Sequence, residues 1–152
     1  MFDILVFLFE NYFEANLQPD FPTLADELSA AGFEQEEINQ AFDWLSALDN
    51  LVEAVYPENF ADSRSIRFYS DVEVKKINVE SRGFLAFLEG SSVINPIQRE
   101  LVIDRALALG ESEVSLDQIK WIVLMVLWKQ GHVDEYLFLE DLLLDEGEIQ
   151  LH

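Results

Sequence analysis

The sequence predicts a mainly α-helical protein. An N-terminal winged-helix-like lobe with a short β-hairpin covers residues 1–70, and a C-terminal helical lobe packed on it covers residues 71–152. Three observations predict this. Apolar residues recur at three- and four-residue spacing through most of the chain, the period of helices with one buried face. Gly32, Gly90, Gly110, Gly131 and Gly147 fall at the ends of those segments, where glycine stops a helix. Only Leu51–Tyr56 and Ser65–Tyr69 read as short strands, and the loop Pro57–Ser63 separates them.

The first helix is expected over Met1–Ala15. Phe2, Leu5, Val6, Phe9 and Phe13 share a face, and Ile4, Phe7 and Leu8 widen it. Pro19 and Pro22 break the chain. Thr23 is the expected N-cap of the second helix, with Asp26 as a capping-box partner and Gly32 beyond its C-terminus. A third helix is expected from Gln35 to Leu48, with Glu36 and Glu37 in the first turn where the helix dipole favours them. Helix, helix, turn, helix and strand pair is the order of a winged helix, a relative of the helix-turn-helix.

The second half reads as five helices. They are expected over Asp71–Ile77, Ser81–Glu89, Pro96–Leu109, Leu116–Gln130 and Asp134–Glu146. Asn95 caps the third, with Pro96 at its first position, where a missing N–H costs nothing. Ser115 and Gln118 form a capping box for the fourth. Gly83 lies inside the second, where glycine costs about 1 kcal/mol against alanine, which predicts a close packing contact.

The charge layout narrows function. The net charge is −21, and the first 63 residues hold 14 acids and no lysine or arginine. Residues 64–133 hold nine bases and nine acids, and residues 134–152 hold seven acids and no base. Nucleic-acid backbones are held by lysine and arginine. The helix Gln35–Leu48, which would enter the groove, displays Glu36, Glu37 and Asp43. Gln35, Asn39 and Gln40 could read bases, but nothing there attracts phosphate. Direct nucleic-acid binding is therefore not expected.

Other chemistry is thinly supported. With no cysteine, disulfides, thiolate catalysis and Cys-ligated metal sites are excluded. His132 and His152 have no second histidine at metal spacing. The pairs Glu36–Glu37, Glu140–Asp141 and Asp145–Glu146 diverge by about 100° on a helix and match no calcium loop. They read as solvated faces. No phosphate-cradling loop, nucleophile elbow or zinc-protease helix occurs. No cofactor is expected. Trp121–Trp128 is an apolar run of eight residues between Lys120 and Lys129. A span needs about 20, so this run predicts a buried helix and no membrane partner. Phe2–Phe9 is interrupted by Asp3 and lacks a preceding base, so it does not read as a secretory signal.

Several segments resemble a known family. They are Met1-Phe2-Asp3-Ile4-Leu5, Leu8-Phe9-Glu10, Ala31-Gly32-Phe33-Glu34 and Arg67-Phe68-Tyr69. They continue with the stretches Arg82–Glu89, Arg99–Arg105 and Lys120–Leu127, and end at Leu151-His152. In this order they resemble the Smg family of bacterial proteins over nearly the whole chain. The resemblance implies a bacterial, cytoplasmic protein of a family without assigned function. It also implies a gene near one for a DNA-processing protein of transformation. Some relatives place Cys where Ser81 stands, so a thiol role there would not carry over.

The expectation from these readings is a non-enzymatic acidic interaction module in the bacterial cytoplasm that binds a protein with a basic surface. Arg82, Arg64 and Arg67 are its candidate partner-binding residues, although an arginine such as Arg82 in so acidic a chain is expected to pair internally with an acid. One alternative is a nucleic-acid mimic or regulator that competes for a DNA-processing or translation protein. Another is an enzyme using carboxylates, which would need a cleft holding carboxylates of raised pKa.

Overall fold

A computed structural model describes residues 1–13, 21–53 and 67–129. The described elements are seven α-helices. In order they are α1 (Phe2–Leu8), α2 (Phe21–Ala30), α3 (Gln35–Glu53), α4 (Asp71–Lys76), α5 (Val79–Gly90), α6 (Pro96–Leu107) and α7 (Leu116–Lys129). A π-helical turn, Phe9–Phe13, continues α1. The chain divides into two units, Met1–Asn50 and Leu51–His152.

In Met1–Asn50 the face expected for the first helix is buried only in part: Leu5 and Phe9 are buried, Phe2 and Val6 are half-buried, and the flanking Ile4 and Leu8 complete the buried side. Leu24 and Leu28 of α2 are buried, as are Ile38, Ala41, Trp44, Leu45 and Leu48 of α3. Phe7 meets Phe33 edge-on at 5.9 Å, and Phe21 stacks on Phe42 at 5.0 Å. Gly32 ends the α2 segment as expected. Its φ of 101° is the left-handed region glycine tolerates. The Phe33 N–H then donates to the Leu28 carbonyl at 3.1 Å, closing the helix end. The start of α2 differs from expectation. The helix begins at Phe21, so Thr23 lies inside the first turn. Pro22 is accommodated there because first-turn N–H groups have no intrahelical acceptor.

The winged-helix lobe with its β-hairpin is not supported. Among the described residues there is no strand and no sheet. Leu51–Glu53, the start of the first expected strand, extends α3. The physical reason is that a short apolar run has no decisive period of its own. No breaker stands between Asp49 and Glu53, and each residue added to an existing helix gains a hydrogen bond. Residues 54–66, which hold the rest of that strand, the loop Pro57–Ser63, Arg64 and the start of the second strand, lie outside the described residues. Arg67–Tyr69, the end of the second strand, is irregular. Mainly α is the class that stands.

In the second unit, α6 packs most extensively on α7 and also touches α4 and α5. α7 is apolar on most sides: Ile119, Ile122, Val123, Leu124, Met125, Val126 and Leu127 are all buried. The expected buried helix is therefore present, and among the described residues no helix is long and apolar enough to cross a membrane. The expected caps are present too. Asn95 Oδ1 accepts from the Gln98 N–H at 2.8 Å while the Gln98 side chain accepts from the Asn95 N–H at 2.8 Å. Ser115 and Gln118 make the same reciprocal pair at 3.2 and 2.9 Å. α5 starts two residues earlier than expected because Asn78 is its cap, accepting from the Ser81 N–H at 2.9 Å. The helix expected over Asp134–Glu146 lies outside the described residues.

Candidate interaction surface

The segment Arg67–Ser70 has no regular structure, yet its side chains fix it tightly. Arg67 has five guanidinium N–H donors, and all five are used. Nε donates to Glu100 Oε2 at 2.9 Å, and Nη2 donates to Glu100 Oε1 at 2.9 Å and Glu73 Oε2 at 2.8 Å. Nη1 donates to Glu73 Oε1 at 2.7 Å and to the Phe68 carbonyl at 2.9 Å. Two forked pairs from one guanidinium set both distance and plane, which a lysine could not do.

The ion pairs run on. Arg99 Nε donates to Glu100 Oε2 at 2.8 Å, and its Nη1 donates to Glu89 at 2.7 Å. The chain Glu73, Arg67, Glu100, Arg99, Glu89 therefore links α4, α6 and α5. These side chains are 11 to 30% exposed, so solvent screens them only partly.

Protonation follows from this geometry. The hydrogen bonds from Arg67 hold the Glu73 carboxyl down at about 2, against the opposing effect of burial. Burial alone would raise Glu100, but hydrogen bonds from Arg67 and Arg99 carry it below its ordinary value. Hydrogen bonds to Glu73 and then Glu100 push the Arg67 guanidinium still higher. Burial pushes the Tyr69 hydroxyl up, against the pull of Arg67 and Arg99. The Tyr69 ring lies under the guanidinium of Arg67 at 4.9 Å and that of Arg82 at 5.8 Å.

The consequence is the presentation of Phe68. Its carbonyl is held by Arg67, and its neighbour Tyr69 is covered by two guanidinium groups. Its own ring is 86% exposed. Val72, four residues on, is 64% exposed. The sequence reading did not single out Phe68. Its one signal was a large aromatic beside an arginine just before a helix N-cap.

The three arginines proposed from sequence have different fates. Arg67 is the centre of the ion-pair chain. Arg82 donates from Nε to the Ile77 carbonyl at 3.1 Å and stands over Tyr69. Among the described residues Arg82 pairs with no acid: α5 carries it to the ring of Tyr69 and to a carbonyl instead. Arg64, like His132, His152, Glu140, Asp141, Asp145 and Glu146, lies outside the described residues. Glu36 is solvent-exposed in the first turn of α3. Among the described residues, no three histidines or acids are grouped as a metal site would need.

A second exposed apolar feature lies on α5. Val79 and Phe87 are 75% and 59% exposed. Gly83, Ala86 and Gly90 are exposed on the same face. The close packing contact expected at Gly83 is not found among the described residues: a Cβ at that position would meet nothing within 4 Å. On the opposite face Ser81 is fully buried, and its Oγ has no hydrogen-bond partner.

Comparison with known proteins agrees with the resemblance read from the segments. The Protein Smg homolog of Methylobacillus flagellatus is 49% identical over 152 residues, covering 100% of both chains. That of Azoarcus sp. (strain BH72) is 45% identical over 155 residues, again covering 100% of both. That of Herminiimonas arsenicoxydans is 46% identical over 151 residues, covering 97% of this chain and 96% of its own. No solved structure matches the chain. A family model described as a protein of unknown function (DUF494) matches residues 1–152, so the chain belongs to that family, whose bacterial relatives carry the name Smg homolog.

Proposed function

We propose that this chain is a non-enzymatic acidic interaction module, an adaptor or regulator that binds a protein partner with a basic surface in the bacterial cytoplasm. The observation that carries this reading is Phe68, 86% exposed on a segment that Arg67 holds rigid. Fixing the segment in advance removes part of the ordering cost of binding, so the ring can act as an anchor. The net charge of −21 supports steering of a basic partner toward the chain, which raises association rates and is weakened by salt. Glu73 and Glu100 support the non-enzymatic part. Both carboxyls are held below their ordinary range, opposite to what a general acid needs.

The test compares the immobilised wild-type chain with its Phe68→Ala variant against nuclease-treated bacterial lysate. A stoichiometric protein retained at about 0.1 M salt, released near 1 M and lost by the variant is the expected result. Equal retention by the variant, or no retained protein, overturns the reading. Displacement of that protein by added DNA or RNA would turn the assignment to a nucleic-acid mimic.

A further inference from the structure

We propose that the exposed face of α5 pairs with the same face of a second copy, antiparallel about a two-fold axis near Leu85. The inference is independent of the Phe68 reading.

Gly83 lies in the middle of α5, where glycine is less favourable than alanine by about 1 kcal/mol. Among the described residues, a Cβ added there would meet nothing within 4 Å. Beside it Phe87 and Val79 stand in water, 59% and 75% exposed. At 100° per residue, Val79, Gly83, Ala86, Phe87 and Gly90 form one stripe about 100° wide. Its two edges are marked by Glu80 and Arg82.

The stripe is complementary to itself. A two-fold axis through the midpoint of α5 sets Phe87 of each copy against Gly83 of the other, and Val79 against Gly90. Large meets small in both pairs, and both pairs share nearly the same midpoint. An isologous contact requires that property, because each residue must fit its counterpart twice. Glycine at the contact lets the helices approach closely.

Charge selects the occupant. Two copies of a chain at −21 repel each other wherever their acidic stretches meet. α5 itself carries Glu80, Glu89 and Arg82, a net charge of −1, so this face approaches its own copy with far less repulsion than the acidic stretches would. A strongly charged partner gains little from so neutral a face. Since α5 is only about 18 Å long, the contact falls in the small, transient class, with a dissociation constant expected around 10–100 µM.

Analytical ultracentrifugation over about 10–500 µM protein tests this. Association should tighten when salt rises from about 0.1 M to about 1 M, because screening length falls from about 10 Å to about 3 Å. Partner binding under the proposed function moves the other way, so failure of one is distinguishable from failure of the other. Phe87→Glu should abolish self-association and leave the thermal unfolding of the chain in place, since the ring is exposed. The chain contains no cysteine, so introduced thiols report register. Ala86→Cys should give a disulfide-linked dimer under mild oxidation. Val79→Cys should not, because antiparallel pairing separates the two copies of residue 79 by about 16 Å along the axis. Three results would overturn the proposal: a monomer at the highest concentration in high salt, self-association untouched by Phe87→Glu, or Val79→Cys linking as readily as Ala86→Cys.

Discussion

Arg67 and Glu100, 33 residues apart in sequence, meet as a forked ion pair with both contacts at 2.9 Å. The pair fastens an irregular segment to α6 and, through Glu73, to α4. It decides where Phe68 points. Removing its centre should therefore affect both stability and presentation. Arg67→Ala removes the guanidinium from two partly buried carboxylates, leaving Glu100 with Arg99 alone and Glu73 with the Ser70 N–H, and should cost about 1.5–3 kcal/mol. Arg67→Lys keeps the charge but loses the fork, and should recover less than half of that. Urea unfolding measures both, and an unchanged midpoint in Arg67→Ala would show that the network adds nothing to the fold.

The same network predicts a pH dependence. Glu73 sits at about 2 in the folded chain against 4.5 ordinarily. Its folded value lies below its unfolded one, so the stability it adds is complete above the unfolded value. That stability is lost as pH falls toward the folded value. The difference in unfolding free energy between wild type and Glu73→Gln should hold constant from about pH 7 to about pH 5, then shrink between about pH 4.5 and about pH 2. A difference independent of pH would show that ionisation of Glu73 is not coupled to folding.

Gly83→Ala should stabilise the isolated chain. The position is helical and exposed, and an added Cβ meets nothing within 4 Å. The expected gain is about 0.5–1 kcal/mol, seen in dilute solution as a rise in Tm of about 2–4 °C. A fall in Tm would reveal a contact at this glycine that the structure does not contain.

Ser81→Ala should be neutral or stabilising by up to about 1 kcal/mol, because it removes a buried hydroxyl without a partner. The readout is the urea midpoint. A loss of more than about 1 kcal/mol would mean that the Oγ has a hydrogen bond after all.

Asn95→Ala should cost about 0.5–2 kcal/mol by opening the capping box at the start of α6. Thermal unfolding measures it, and a negligible cost would mean that Pro96 alone sets this helix start.

Those caps mark what could be read from the residues alone. Asn95 with Gln98 and Ser115 with Gln118 are three residues apart, so their chemistry is complete within one turn. Gly32 likewise needs only its own backbone freedom and the carbonyl of Leu28. The burial of Leu5 and Phe9 on α1 follows from period, and the burial of α7 from its unbroken apolar run. The start of α2 and the strand at Leu51 were misplaced because a first-turn proline and a short apolar run each fit two local structures.

The sequence by itself determined that the chain is mainly helical, strongly acidic in its first 63 and last 19 residues, and a member of its family. Those properties are sums or short-range patterns, and no contact is needed to read them. Tertiary structure alone decided that Arg67 finds Glu100 across 33 residues and that Arg82 covers a tyrosine ring rather than an acid. It also decided that Phe68, Val79 and Phe87 face water and that a Cβ at Gly83 would meet nothing within 4 Å among the described residues. Each depends on which helices come together. Packing brings remote side chains to one place, and residue spacing along the chain carries no record of that distance.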